Sequence, residues 1–166
     1  IPVIAYNLPG VTGMNLDRAF YTELLERTDA VQYVKDTSGS MSQAYDLLFN
    51  LDKRMTPFIG WDTILLPAFA AGAAGTIWGA PNFAPRECVR LWDLSQAGKQ
   101  EEANELFQQI WNIMNFTFEE GYSVSVKAAA EIVGIPLGDP RAPYGRLPED
   151  KMAKLRKLIA EAGLQY

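Results

Sequence analysis

Residues 30–40, AVQYVKDTSGS, show the clearest change from one kind of secondary structure to another. The mostly apolar residues 30–34 predict a short buried strand, and Lys35 stands at its end. Residues 36–40 predict a turn, because Asp, Ser and Gly favour tight backbone bends. Apolar residues at helical spacing over 41–52 then predict an amphipathic helix. The stretch therefore predicts one strand followed by one helix.

Similar strand and helix patterns flank this stretch on both sides. Short apolar runs followed by turn-forming residues predict further strands over residues 1–6, 56–60 and 76–78. Helices are expected near residues 16–28, 63–71 and 85–97. We expect Asn15 to cap the first of these helices, with Phe20 on its apolar face, and Asp62 to cap the second. Alternation in units of roughly 25 residues is typical of parallel strands joined by right-handed crossovers.

The chain changes character after residue 98. Helical spacing of apolar residues predicts helices over residues 100–119, 123–134 and 149–162. Prolines and glycines between the second and the third of these helices predict an ordered loop. We therefore expect two domains, an α/β part over residues 1–98 and a helical part over residues 99–166.

The composition restricts the classes of protein to which the chain can belong. Of its 166 residues 48% are hydrophobic, which is enough for a folded core. A net charge of −5 argues against binding to nucleic acid, whose phosphates require a basic surface. No apolar run is long enough for a membrane-spanning helix. No secretory signal pattern is present and the single cysteine, Cys88, fits a reducing compartment, so a cytoplasmic location is expected.

The lack of histidine limits the chemistry open to the chain. With no His and one Cys, histidine-based triads and most zinc sites are excluded. An acid, a base or a nucleophile must therefore be Lys, Asp, Glu, Tyr, Ser or Thr. We expect no metal site.

Lys35 is the most informative candidate residue. In parallel α/β folds the functional residues lie at the carboxyl ends of the strands, where Lys35 falls. Burial lowers the pKa of a lysine ammonium group, and the neutral amine can attack a carbonyl carbon and form an imine. The spacing alone favours the simpler alternative, a structural lysine that reaches solvent or pairs with Asp36.

Aromatic and acidic residues stand at the ends of other predicted strands. Tyr6 ends the first strand, where a phenol can move protons to and from an imine. The alternative is a core tyrosine with a satisfied hydroxyl group. Asp62 is more readily a helix cap than a ligand. Trp61 and Trp78 either line a pocket or belong to the core.

Several short motifs in order resemble one known family. They are Tyr6-Asn7-Leu8-Pro9 with Thr12-Gly13, Lys35-Asp36-Thr37-Ser38-Gly39, Gly60-Trp61-Asp62, Gly72-Ala73-Ala74-Gly75 and Asn82. In this order and spacing they resemble the dihydrodipicolinate synthase / N-acetylneuraminate lyase family. The resemblance implies an α/β fold, the C-terminal half of a (β/α)8 TIM barrel with strands five to eight, followed by a C-terminal three-helix domain.

The resemblance also implies roles for individual residues. Lys35 would form a Schiff base with the keto carbon of pyruvate or another 2-oxo acid, and Tyr6 would relay protons. The substrate-binding residues would be Thr37, Gly60, Asp62, Ile77 and Gly79. The implied activity makes or breaks a carbon–carbon bond between the 2-oxo acid and an aldehyde, and it needs no metal or organic cofactor.

Departures from the family pattern bear on the substrate. Val11 stands where dihydrodipicolinate synthases have an arginine for a second carboxylate, which argues against aspartate semialdehyde as the aldehyde. Thr37 is similar to the lyase and 2-keto-3-deoxy acid aldolase branches, although Thr63 and Gly79 depart from the lyase pattern. We therefore expect a 2-keto-3-deoxy acid aldolase. The alternatives are a 4-hydroxy-tetrahydrodipicolinate synthase and a non-catalytic binding module.

Four parallel strands cannot close a barrel. The outer strands would expose unpaired edges and apolar faces. We expect the family's first four strand–helix units, an N-terminal half-barrel absent from this sequence, to be the partner that covers them. The resemblance further implies a homo-oligomer, usually a tetramer. The 166-residue chain alone is expected to lack normal activity.

Overall fold

The computed structural model describes residues 1–164. The chain forms two compact units, Ile1–Trp78 and a second that begins at Gly79. This division follows how compactly the residues pack. The boundary predicted after residue 98 marks a different feature, the change from alternating strands and helices to helices alone. That boundary stays a prediction.

The first unit is built on a parallel sheet, as the alternation of strands and helices predicts. Its three strands are β1 (Val3–Asn7), β2 (Val31–Asp36) and β3 (Thr56–Ile59), in the order β1-β2-β3. The α-helices of this unit are α1 (Pro9–Thr12), α2 (Arg18–Arg27), α3 (Met41–Asn50) and α4 (Leu65–Ala70). A short 3-10 helix, Asp62–Ile64, precedes α4.

The register of the sheet sorts the functional candidates onto its two faces. Tyr6 in β1 lies beside Lys35 in β2, and Asn7 lies beside Asp36. Side chains of successive residues point to opposite faces of a strand. The Tyr6–Lys35 pair and the Asn7–Asp36 pair therefore lie on opposite faces. Strand β2 continues through Asp36, one residue beyond its predicted end.

Helices α2 and α3 cover the face that carries Asn7 and Asp36. Their buried side chains join those of β2 and the segment before β3 in one apolar cluster: Tyr21, Leu25, Val34, Leu47, Leu51 and Met55. Full burial of each large apolar side chain stabilises the fold by about 1.5–3 kcal/mol. This cluster fixes two helices against the sheet and so fixes the positions of the strand ends.

Helix α2 begins differently from the prediction. Asp17, not Asn15, is its N-cap, and the Asp17 side chain accepts a hydrogen bond from the Phe20 backbone N–H at 2.9 Å. The buried face of α2 carries Tyr21 and Leu25, and Phe20 is 42% exposed. Assigning Asn15 as the cap and Phe20 to the buried face is therefore wrong.

The fourth predicted strand is reduced to a single bridge. Thr76 pairs with Ile59 in parallel, and no longer ladder forms within the described residues. The Thr76 hydroxyl donates to the Ile59 carbonyl oxygen at 2.5 Å. Ile77, which follows the bridged residue, is 42% exposed.

The N-cap predicted at Asp62 is also displaced. Trp61 is the N-cap, and Asp62 is the first residue of the 3-10 helix. Pro67 falls within the following α4, three residues after the 3-10 helix ends. Because proline lacks a backbone N–H, it fits near the start of a helix. The predicted helix over 63–71 is thus divided into two short segments.

The second unit is helical, with a short 3-10 helix, Ala80–Asn82, near its start. Its helices are α5 (Pro85–Gln96), α6 (Gln100–Glu119), α7 (Tyr122–Ile132) and α8 (Glu149–Glu161). Helix α6 packs against α5, α7 and α8. These helices confirm the predicted segments to within one or two residues. Across residues 1–164, no helix has the length and apolar character to span a membrane.

Candidate active site at the strand ends

Lys35 and Tyr6 form a contact pair on neighbouring strands. The Lys35 Nζ atom lies 4.0 Å from the centroid of the Tyr6 ring. The amine therefore lies over the face of the ring. The Tyr6 side chain is 49% exposed, so Tyr6 is not a core tyrosine. Lys35 is partly buried, and within residues 1–164 it forms no ion pair with Asp36.

Gly60 leaves the space that Lys35 and Thr37 occupy. A β-carbon built on Gly60 would lie 2.6 Å from Lys35 Cε and would also overlap Thr37 Oγ1. Any larger residue at position 60 would have to displace these side chains. The structure therefore brings Lys35, Tyr6, Thr37 and Gly60 together at the carboxyl ends of the strands.

Thr37 carries an unsatisfied polar group at this site. The residue is 7% exposed, and its hydroxyl finds no hydrogen-bond partner among the described residues. A buried hydroxyl without a partner costs about 1–3 kcal/mol. An orphaned hydroxyl next to an amine is suited to hydrogen-bond a ligand that enters the site.

The other predicted site residues lie elsewhere along the chain. Asp62 is buried in the 3-10 helix, and Ile77 follows the bridge to β3. Gly79 opens the second unit, where a built β-carbon would lie 2.8 Å from Tyr122 Cζ. That close packing gives Gly79 a structural reason to lack a side chain. The substrate-binding roles of Asp62, Ile77 and Gly79 stay predictions.

A buried polar network lies on the face of the sheet opposite Lys35 and Tyr6. Asp36 is 1% exposed, and its Oδ1 accepts from Asn7 Nδ2 at 2.7 Å and from Gln43 Nε2 at 2.9 Å. Its Oδ2 accepts from Ser38 Oγ at 2.7 Å. Asn15 Oδ1 accepts from Asn7 Nδ2 at 2.9 Å, and Asn15 Nδ2 donates to Gln43 Oε1 at 2.7 Å. We call these five residues the Asp36 network.

Local sequence patterns do not predict this network, because its members lie in separate segments. They predict a helix cap at Asn15 and a turn at Asp36. One signal is nevertheless present in the sequence. Asn7 and Asp36 each follow a candidate catalytic residue at a strand end, so equal register predicts that they are neighbours.

The Asp36 charge acts on a buried tyrosine of the same unit. Burial, reinforced by the negative charges of Asp36 and Asp17, raises the pKa of Tyr21 well above its usual range. Tyr21 is 0% exposed, and its hydroxyl has no hydrogen-bond partner among residues 1–164. Tyr21 is therefore a neutral phenol at physiological pH.

Comparison with known proteins identifies the family. The sequence model of the dihydrodipicolinate synthetase family matches residues 1–162. A 4-hydroxy-tetrahydrodipicolinate synthase from Pelobacter propionicus is 34% identical over 164 residues, 99% of this chain and 56% of that protein. The chain thus spans little more than half the length of this relative.

Solved structures agree with the sequence match. A chloride-inhibited dihydrodipicolinate synthase from Acinetobacter baumannii, complexed with pyruvate, superposes with a TM-score of 0.90 at 28% identity, over 99% of this chain and 56% of that one. A prophage protein of the dihydrodipicolinic acid synthase family from E. coli K12, also in complex with pyruvate, gives a TM-score of 0.90 at 25% identity, over 99% and 57%. The α/β fold, the matched residues and the order of motifs lead to one conclusion: this chain belongs to the dihydrodipicolinate synthetase family.

Proposed function

We propose that this chain carries the imine-forming half of a pyruvate-dependent aldolase or lyase. The observation that supports this most directly is the Lys35 Nζ atom held 4.0 Å from the Tyr6 ring centroid at the carboxyl ends of parallel strands. Lys35 is the proposed nucleophile and Tyr6 the proposed proton relay. Two relatives of known structure were solved with pyruvate bound, which favours a 2-oxo acid as substrate.

The proposed reaction begins with attack of the neutral Lys35 amine on the keto carbon of pyruvate. Tyr6 donates a proton to the carbinolamine oxygen, water leaves, and an imine forms. The imine withdraws electrons from the adjacent carbon, which loses a proton to give an enamine. The enamine carbon then adds to the carbonyl carbon of an aldehyde, whose oxygen takes up a proton. Water hydrolyses the new imine, which releases the product and frees the Lys35 amine. In the opposite direction the same steps cleave the carbon–carbon bond.

The surroundings of Lys35 suit such a substrate. Gly60 leaves space beside the amine, and the Thr37 hydroxyl offers an unused hydrogen bond. We assign Thr37 to binding an oxygen atom of the substrate. Asp62 and Ile77 are proposed as further pocket residues on the basis of the family resemblance alone.

We propose a 2-keto-3-deoxy acid, or a similar hydroxy-oxo acid, as the substrate. Val11 is 79% exposed in α1, and its apolar side chain provides no charge to hold a second carboxylate. The names of the relatives favour a second candidate, 4-hydroxy-tetrahydrodipicolinate synthase activity, in which aspartate semialdehyde is the aldehyde. The two candidates differ in the charge of the aldehyde partner.

We propose that the active protein contains a complete barrel. In this proposal, β1, β2, β3 and the bridged segment at Thr76 are strands five to eight, and residues 99–166 form the helical domain. Strand β1 is an edge of the sheet, and Val3 and Ile4 are 44% and 47% exposed. An N-terminal half-barrel pairing with β1 would cover them. A homotetramer in the cytoplasm is the family's usual arrangement and is proposed here.

An activity assay on the completed barrel separates the two substrates. Purified protein is given a 2-keto-3-deoxy sugar acid, and release of pyruvate is followed; a parallel reaction combines pyruvate with aspartate semialdehyde. If the wild type releases pyruvate and Lys35→Ala does not, the result supports the aldolase. If the wild type only condenses pyruvate with aspartate semialdehyde, the result supports 4-hydroxy-tetrahydrodipicolinate synthase activity instead. Equal rates for wild type and Lys35→Ala in both reactions would refute the proposed function.

A further inference from the structure

We propose that Asp36 is a positioning residue whose buried carboxylate ties the ends of β1 and β2 together behind Tyr6 and Lys35. This inference rests on the proposed function, because positioning matters only if Lys35 reacts. Asp36 touches neither Lys35 Nζ nor the proposed substrate site, since it lies on the opposite face of the sheet. It acts through the backbone that it shares with Lys35.

The first support is the register. Asn7 follows Tyr6 and Asp36 follows Lys35, and the two pairs are adjacent in the ladder. The Asn7–Asp36 hydrogen bond of 2.7 Å therefore joins the two strands one residue beyond the reactive pair. Any slip or splay between the strand ends would have to break this bond.

The second support is the connection to helices α2 and α3. Gln43 in α3 donates to Asp36 at 2.9 Å, and the Leu16 backbone N–H before α2 donates to Asn7 Oδ1 at 3.0 Å. Both helices are anchored by the apolar cluster around Tyr21 and Leu47. The network thus connects the strand ends to that packed core, which limits their movement.

The third support is the chemistry of the carboxylate. The donors to Asp36 described above, Asn7, Gln43 and Ser38, are all neutral. Burying a charge is costly, and apolar side chains would join two strands at a lower cost. Hydrogen bonds, unlike apolar contacts, also fix direction and distance. A buried, fully bonded carboxylate at this point is therefore suited to setting geometry rather than to adding stability.

Two substitutions of Asp36 separate geometry from charge. In Asp36→Asn, the amide oxygen still accepts from Asn7 and Gln43, and the NH2 group donates to Ser38 Oγ. In Asp36→Ala, all three bonds are lost. Where Asp36→Ala does not fold, Gln43→Ala removes one donor and leaves the strands unchanged.

The readout is the rate at which borohydride traps the imine with pyruvate, measured over a range of pyruvate concentrations. A displacement of about 1 Å costs up to ~100-fold in rate, so we expect Asp36→Ala to lower the maximal rate by about 10- to 100-fold. The half-saturating pyruvate concentration should change little, because pyruvate does not contact Asp36. Asp36→Asn should stay within about threefold of wild type, and Gln43→Ala should fall between the two.

Asp17→Ala is the matched control. It removes the N-cap of α2 and so loosens the same unit, but Asp17 is not a member of the Asp36 network. If Asp36 merely stabilised the fold, Asp17→Ala and Asp36→Ala would lower the maximal rate to a similar extent. We expect instead that Asp17→Ala keeps the wild-type maximal rate.

Hydrogen exchange provides a measurement that needs no reaction. The Thr37 backbone N–H donates to the Asn7 carbonyl oxygen at 2.8 Å and reports separation of the strand ends. We expect this amide to exchange at least about tenfold faster in Asp36→Ala than in wild type, and at a near-normal rate in Asp36→Asn. In Gln43→Ala its exchange should be accelerated to a smaller extent.

The outcomes distinguish this inference from the proposed function. A wild-type protein that gives no trapped adduct contradicts the proposed function. If the Thr37 amide then also exchanges at the wild-type rate in Asp36→Ala, the inference about Asp36 is overturned as well. When the wild type is trapped, a wild-type maximal rate in Asp36→Ala overturns the inference. A loss of maximal rate in Asp36→Asn as large as that in Asp36→Ala also overturns the inference.

Discussion

The amine of Lys35 lies over the face of the Tyr6 ring, 4.0 Å from its centroid. The ring and the hydroxyl have separate tasks in this arrangement. The ring packs against the lysine side chain and limits where the amine can lie. The hydroxyl is the group that can give or take a proton.

Tyr6→Phe tests this division of tasks. The ring and its contact with Lys35 remain, so the free energy of unfolding should be unchanged, whereas turnover should fall by about 10²- to 10⁴-fold with the loss of proton transfer. Steady-state turnover and urea unfolding measure the two quantities. Tyr33→Phe, the same change on the neighbouring strand β2, is the control and should keep full turnover. Full turnover in Tyr6→Phe would show that the hydroxyl relays no proton.

Gly60→Ala tests the space beside the amine. The new methyl group would lie 2.6 Å from Lys35 Cε and would push the side chain from its place. Overpacking of this kind costs about 1–3 kcal/mol of stability, and we expect imine formation to fall by about tenfold or more. Gly10→Ala is the control, because nothing lies within 4 Å of its built β-carbon. Normal imine formation in Gly60→Ala would mean that Lys35 needs no such space.

Tyr21 gives the first unit a dependence on alkaline pH. Its pKa is raised on folding from the ordinary value of 10.0, so the folded state favours the neutral phenol. The resulting stability is complete below about pH 10 and is lost as the pH rises through the folded-state pKa. Urea unfolding above pH 10 should show a decline in stability that is smaller in Tyr21→Phe. An equal decline in both proteins would contradict this assignment.

At the residue level, the sequence indicates reactive residues better than it indicates the residues that hold them in position. Lys35 and Tyr6 are found because a strand end is an informative place for a reactive group. Asn15 and Gln43 are missed because their role depends on contacts between segments 28 residues apart. Nothing in the local pattern distinguishes such residues from a helix cap or a solvated surface.

At the scale of elements, the ends of helices decide which side chains are buried. Helix α2 has its N-cap at Asp17, and it buries Tyr21 while Phe20 stays exposed. Asp17→Ala should therefore lower the free energy of unfolding by about 1 kcal/mol, as loss of an N-cap does. Urea unfolding measures it. Glu26→Ala, on the exposed side of the same helix, should stay within about 0.5 kcal/mol of wild type. An equally small effect of Asp17→Ala would return the cap to Asn15.

Elements with long apolar periodicity are the ones that sequence predicts well. Helix α6 spans Gln100–Glu119, as predicted, because twenty residues of helical spacing leave little ambiguity. The segment at Thr76, by contrast, forms a single bridge to Ile59 and no longer ladder among the described residues. The predicted strand there is only three residues long, and so short a pattern does not settle how many strand pairs form.

At the scale of the whole molecule, the chain accounts for 56% of the length of the relatives it matches. The exposed edge of β1 and the apolar residues on it are the features that a further half-barrel would cover. A parallel edge of this kind also pairs readily with other chains. We therefore assign the proposed chemistry to the completed barrel proposed above.

Peptide mapping of a trapped adduct is the decisive test of the proposed role of Lys35. The completed barrel is incubated with pyruvate and borohydride, digested, and examined by tandem mass spectrometry. We expect a single reduced pyruvate adduct on Lys35, which is absent when borohydride is omitted. An adduct on a different lysine, or none at all in protein that is folded and assembled, would contradict that role.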